Sequence, residues 1–418
     1  MKKTLCFFLL AALVLLSAVL LSSCSGGGEE EENAAGTVTL YVYNWGEYIS
    51  DGSEDSLNSN KAFEQYFNEN LSSKYGCKVK VNYSTYSSNE DMYAKISSGA
   101  VKYDVIVPSD YMIERMINEG LLRELDFGRI ANYETNIIER FKNPDYDPEN
   151  KYSVPYSYGM VGIIYNTSIV DEDDENVGSW KLMFDEDTPY RGDILQFNNP
   201  RDAFGTAQYY LGYDVNGTDP DEWRAALELL KAQKDIVKGY VMDEIYNMME
   251  SGSAAVAAYY AGDFLTMYEE NEDLEFYYPK EGTNFYVDAF CVPYNSQNPE
   301  IAEEYINFML SEEPAVANAE ATYYASPNST VIESDEYKEY MNSIKDDAFE
   351  ILYGSEDVTT STYKNLSADG LSQMNDLWEE LKVESSIGVG IYIFCGVIIA
   401  VIVGFTVFFL VRKRIRRI

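Results

Sequence analysis

Between Thr37 and Gly120 strand-like and helix-like patterns succeed each other three times, and no other feature of the 418 residues restricts the fold as much. Thr37 to Tyr43 alternates as a strand. Phe63, Tyr66, Phe67 and Leu71 recur at helical spacing, and Gly76 stops that helix. Lys78 to Tyr83 reads as a second strand and Asp91 to Ser98 as a second helix. Tyr103 to Pro108 is a short apolar strand, after which Ser109-Asp110-Tyr111 opens a helix that ends at Gly120. This succession predicts an α/β fold with a doubly wound parallel sheet. Ligands of such sheets sit beyond the carboxyl ends of the strands, where Trp45, Tyr48, Ser109 and Tyr111 fall.

A second stretch, Tyr259 to Asp288, pairs aromatic rings with carboxylates. Tyr259-Tyr260-Ala261-Gly262-Asp263 closes an apolar run, and Phe285-Tyr286-Val287-Asp288 leads into Ala289-Phe290-Cys291. Strand periodicity puts Tyr286 and Asp288 on one face. A carboxylate beside a ring suits an organic ammonium ion, through charge-assisted hydrogen bonds and roughly 0.5–2 kcal/mol of cation–π attraction per contact. The residues alone equally allow a plain strand rim.

Composition narrows the class. The formal charge is −39, and His is absent, which argues against hydrolases and zinc enzymes. With the seven Lys/Arg of residues 1–24 and 386–418 set aside, 24 basic residues face 70 acidic ones, a net of −46. Such a surface repels nucleic acid and attracts cations, or serves solubility alone.

The ends read as anchors. Lys2 and Lys3 precede an apolar run closing at Leu21-Ser22-Ser23-Cys24, which resembles the lipobox of bacterial lipoproteins and implies lipidation at Cys24. Residues 25–36 read as a flexible tether. From Ile387 to Val411 there are 25 residues without a charge, followed by a basic tail over 412–418. That pattern predicts a transmembrane helix with a cytoplasmic C-terminus, and places the intervening domain on the outer face of the cell membrane. Of five cysteines, Cys77 and Cys291 fall in the outer part, and two buried free thiols are expected there rather than a disulfide.

Several motifs occur together in order. They are Tyr43-Asn44-Trp45 with Glu47-Tyr48; Ser84-Thr85-Tyr86 with Asn89-Glu90 and Met92-Tyr93-Ala94-Lys95; and Val107-Pro108-Ser109 with Tyr111. Ser153-Val154-Pro155-Tyr156, Tyr278-Pro279-Lys280-Glu281-Gly282, Phe285 to Pro293 and Ser326-Pro327-Asn328 continue the series. Over roughly residues 37 to 384 the chain resembles the spermidine/putrescine-binding proteins of bacterial ABC transporters. The resemblance implies a two-lobed periplasmic-binding-protein type II-like fold with the ligand cleft between the lobes. The first lobe would take residues 37–159 and 289–333, the second 160–288 and 334–384. It implies a monomeric substrate-binding lipoprotein that captures a polyamine and delivers it to a permease and ATPase complex, with no enzyme activity and no cofactor.

Carried over residue by residue, the resemblance makes Trp45, Tyr48, Ser109, Tyr111, Asn199, Asp202, Tyr260, Asp263, Tyr286, Asp288 and Tyr324 the expected ligand contacts. Asn199 is an amide where the spermidine-binding pattern has a carboxylate, and Asp263 matches a carboxylate of the putrescine-preferring branch. Lys364 is the nearest counterpart of a late Gln contact. These departures put putrescine ahead of spermidine. The rival readings are a ferric-ion binder using tandem tyrosines such as Tyr259-Tyr260 or Tyr323-Tyr324, a glycosidase, and a membrane-anchored polyamine sensor.

Overall fold

The structure, a computed structural model, describes residues 36–53, 56–354 and 357–384. A small unit takes residues 36–39 and 64–80, and a large unit takes the rest, including every cavity residue discussed below. Ten strands form one sheet: β1 (Thr37–Trp45), β2 (Lys78–Tyr86), β3 (Val105–Ile106), β4 (Ser153–Asn166), β5 (Ile194–Phe197), β6 (Val237–Val241), β7 (Val256–Tyr260), β8 (Leu274–Tyr277), β9 (Thr283–Cys291) and β10 (Thr360–Ser361). Their order is β2-β1-β3-β9-β4-β7-β5-β6, with β10 beside β9 and β8 beside β4.

The parallel pairing expected within residues 37–120 is present between β1 and β3, while the sheet as a whole is mixed. β1 runs parallel to β3, with Val42 opposite Val105, and β5 runs parallel to both β6 and β7. Between these groups β9 is antiparallel to β3 and to β4. The reason is the length of β4, which pairs with β9 from Ser153 to Met160 and then with β7 from Val161 to Tyr165. One strand thus carries the chain from one parallel group to the other, and β9 returns beside it. The sequence pattern shows only local alternation, so it cannot reveal a strand that changes partners midway.

Helices start where their signals stand. Asp219 accepts from the Asp221 amide at 2.9 Å with Pro220 in the first turn, and Trp223, Ala226, Leu227 and Leu230 of the helix Pro220–Gln233 are buried. Ser88 caps the helix Asn89–Ser98 by accepting from the Asp91 amide. The helix Ala368–Glu384 buries Met374, Leu377, Trp378 and Leu381 on one face. Cys291 is a buried free thiol, as expected, whereas Cys77 is free but only partly buried.

The membrane reading finds no support here. Among the described residues no helix is long and apolar enough to cross a membrane, and the last one has a charged outer face and a buried inner one. The lipobox at Cys24, the run 387–411 and the tail 412–418 lie outside the described residues.

Candidate functional site

The strand-to-helix turns assemble the site. β2, β3, β5 and β7 are followed by helices Asn89–Ser98, Asp110–Asn118, Pro200–Leu211 and Ala261–Glu270, and each helix carries acid in its first turn: Glu90, Asp110, Asp202 and Asp263. Carboxylates favour that position because the unpaired amides of a helix N-terminus are partly positive. All four residues line a cavity of about 570 Å³, together with Trp45 and Tyr48 from the end of β1 and Asn284, Tyr286 and Asp288 from one face of β9.

Aromatic rings form its walls. Tyr48, Tyr286 and Tyr324 make a buried cluster with Trp45, Tyr156 and Tyr260 packed against it. The rings of Tyr48 and Tyr324 lie edge to face at 4.8 Å, and those of Tyr260 and Tyr286 at 5.3 Å. The Trp45 Nε1–H donates to the Val107 carbonyl at 2.9 Å, and Tyr156 donates to the Tyr48 carbonyl. These bonds fix the rings before any ligand arrives.

Each carboxylate is held by tyrosine or by backbone amide. Tyr48 donates to Asp288 Oδ2 at 2.7 Å, and its hydroxyl oxygen lies 3.0 Å from Ser157 Oγ, which is left to donate to it. Tyr246 and Tyr324 each donate to one oxygen of Asp263. Tyr260 and the Asn199 amide both donate to Asp202 Oδ2 at 2.8 Å, and Tyr111 donates to Glu90 Oε1 at 3.1 Å. Asp110 accepts from the amides of Tyr111 and Val287. Burial raises all of these acids: Asp263 and Asp288 are pushed up to about 6, Asp110 stands well above the usual carboxylate range, and Asp202 and Glu90 are raised. Arg201 is the only cation among the lining residues. Its guanidinium is committed to the Val215 carbonyl, Asn216 Oδ1 and the Lys364 carbonyl, and lies 4.3 Å from the Tyr363 ring. What remains is acidic, desolvated and ring-walled, an arrangement that takes an organic cation.

All eleven residues expected as ligand contacts line this one cavity. Two have further duties. Asn199 caps the helix Pro200–Leu211, accepting from the Asp202 amide, and its NH₂ is spent on the Asp202 carboxylate. Ser109 is held by the Asn89 carboxamide, which donates to its Oγ and accepts from its amide. Lys364, the nearest counterpart of the late Gln contact, is exposed and absent from the lining, which Tyr363 joins instead. Sequence reasoning missed Glu90, Asp110, Tyr246, Asn284 and Tyr363 as lining residues. The first-turn acids were findable, since each follows a predicted strand; Tyr246 and Tyr363 carry no local signal.

The chain matches the family described as Bacterial extracellular solute-binding protein over residues 61–344. It is 34% identical over 299 residues to the spermidine/putrescine-binding periplasmic protein of Salmonella typhimurium, covering 71% of this chain and 79% of that one. It is 29% identical over 359 residues to the putrescine/cadaverine-binding protein of Pseudomonas aeruginosa, covering 82% and 93%. Among solved structures, the spermidine/putrescine ABC transporter substrate-binding protein of Streptococcus pneumoniae superposes with a TM-score of 0.63 at 31% identity, covering 82% of this chain and 98% of that one. The Salmonella relative is named as periplasmic, and with no spanning helix among the described residues this overturns the expected location at the outer face of the cell membrane.

Proposed function

Because the chain belongs to the bacterial extracellular solute-binding proteins, with their α/β substrate-binding fold and no enzymatic role, we propose that its cavity captures a polyamine, putrescine or spermidine, for an ABC permease. The observation that carries this reading is the set of four buried carboxylates, Asp110, Asp202, Asp263 and Asp288, around one ring-walled space whose single cation, Arg201, gives its hydrogen bonds to neutral oxygens. An unpaired buried carboxylate costs several kcal/mol, so the cavity favours any guest that brings ammonium groups to it. The tyrosine walls accept the methylenes between those groups and add cation–π attraction.

Residues 37–159 with 289–333, and 160–288 with 334–384, are the two lobes of this reading, with β4 and β9 passing between them. A ligand that touches both lobes has more affinity for the closed state and shifts the population toward it, giving the permease a form to recognise. The ferric reading needs neighbouring phenolates to converge. Tyr323 and Tyr324 instead send their hydroxyls to Glu269 and Asp263.

Calorimetric titration of the purified full-length chain with putrescine, spermidine, spermine and ferric citrate tests the proposal. One-to-one binding of a polyamine is expected. Binding of ferric citrate without any polyamine would overturn it.

A further inference from the structure

The oxygens that occupy Arg201 belong to one fastening. Arg201 donates to the Lys364 carbonyl at 3.3 Å and to Asn216 Oδ1 at 2.8 Å. Asn216 Oδ1 also accepts from the Lys364 amide at 2.8 Å, and its Nδ2 donates to the Thr362 carbonyl at 2.9 Å. Upstream, the Tyr209 and Ser361 hydroxyls lie 2.6 Å apart, and the Thr283 amide of β9 donates to the Thr359 carbonyl at 3.0 Å. Tyr363 lies against the helix Pro200–Leu211 at Gly205, where a Cβ would collide with its hydroxyl. Residues 359–366 are thus fixed to β9 and to that helix at successive points, and in the lobe division proposed above they form an arm of the second lobe.

The end of the arm meets the helix Asp110–Asn118, which that division gives to the first lobe. The Asn365 amide donates to Glu114 Oε2 at 2.7 Å, across 251 positions of sequence. Beside this bond the rings of Tyr363 and Tyr111 lie edge to face at 6.3 Å. Glu114 is absent from the cavity lining, but it stands one turn beyond Asp110 and Tyr111, which are part of it. An amide bonded to an ionised carboxylate is a charge-assisted contact. It exists only while arm and helix are together, so it favours the closed state over the open one.

We propose that Glu114 is a positioning residue: by gripping the Asn365 amide it latches the two lobes over a bound ligand and sets how fast that ligand leaves. The inference rests on the two-lobed polyamine reading. Because the latch touches no part of the ligand, it slows the escape of every polyamine equally. Arg201 then has a structural reason to stand in an acidic cavity, since it holds the arm that carries the donor.

The test follows binding and release of putrescine and spermidine by stopped-flow tryptophan fluorescence, with the full-length wild type, Glu114→Ala, Glu114→Gln and Asn365→Pro. Release from Glu114→Ala should be about 10-fold faster, by the same factor for both ligands, with association unchanged because a ligand enters while the latch is open. Glu114→Gln keeps an acceptor and should recover most of the loss. Asn365→Pro removes the donating N–H and should match Glu114→Ala, and the double variant should release no faster than either. If the proline prevents folding, Glu114→Ala decides alone. Unchanged release from folded Glu114→Ala, unequal factors for the two ligands, or altered association would overturn the latch. Hydrogen exchange of the ligand-free proteins separates that failure from failure of the polyamine reading: residues 110–118 and 363–366 should lose protection in Glu114→Ala. A wild type that binds neither polyamine would overturn the polyamine reading; faster exchange in the variant would then still support the contact between the lobes, and unchanged exchange would overturn it too.

Discussion

The Tyr48 hydroxyl donates to Asp288 Oδ2 at 2.7 Å, joining the end of β1 to β9 across 240 positions of sequence. The bond makes the first-strand aromatic and the late carboxylate one unit, and it leaves Asp288 Oδ1 buried without a hydrogen-bond partner among the described residues. Asp288 is 4% exposed, so its charge is disfavoured until a cation arrives.

Asp288→Asn should therefore separate stability from binding. At pH 7.5 the empty variant should unfold at the same or higher denaturant concentration, with a gain of roughly 1–3 kcal/mol at most, since a carboxyl raised to about 6 is ionised at a cost. Removing one partner of a buried charge pair costs about 2–5 kcal/mol, so polyamine affinity should fall by about 100-fold. Titration calorimetry beside urea unfolding checks both; unchanged affinity in Asp288→Asn and in Asp263→Asn would remove these residues from the site.

The two acids raised to about 6 set a pH dependence of opposite sign for the empty and the loaded protein. Both stand above the ordinary range near 4, so their contribution to the stability of the empty protein is complete below pH 4 and is lost as pH rises through 6. Ammonium binding favours the ionised forms, so affinity should rise about 10-fold or more between pH 5 and pH 7.5, with protons released on binding near pH 6. Titrations in buffers of different ionisation enthalpy measure that release. A flat profile would contradict the roles of both acids.

Asn199→Asp keeps a helix cap but replaces a 2.8 Å bond to Asp202 with repulsion between carboxylates. The empty protein should lose about 1–2 kcal/mol at neutral pH. Spermidine should then raise the melting temperature more than it does in the wild type, because the added charge faces the same guest. Asn199→Ala should lose about 1 kcal/mol from the missing cap and show no such enhancement.

Gly262→Ala probes the packing behind the site. A Cβ there would lie 2.7 Å from Tyr324 Cδ2 and 2.9 Å from the Tyr323 carbonyl oxygen, so the Tyr324 ring must move. Tyr324 holds Asp263 and packs on Tyr48, and overpacking of this kind costs about 1–3 kcal/mol. Thermal unfolding should register the loss, and polyamine affinity should fall together with it; retained affinity would show that Tyr324 does not position Asp263.

Much of this was local enough to read in the chain. Strand and helix succession over residues 37–120 and the shared face of Tyr286 and Asp288 follow from residue type and spacing within a few positions. So does the presence of acid after strands, because helix N-termini favour it wherever they stand. Tertiary structure decided which of these features meet. The change of partner along β4, the bond from Tyr48 to Asp288, the spending of the Asn199 amide on Asp202 and the entry of Tyr246 into the site all depend on pairings far apart in sequence. The swap of Lys364 for Tyr363 shows the limit most clearly. Neighbouring side chains in an extended segment point to opposite sides, so a shift of one residue exchanges an exposed cation for a cavity wall, and only the tertiary placement of the segment after β10 decides which it is.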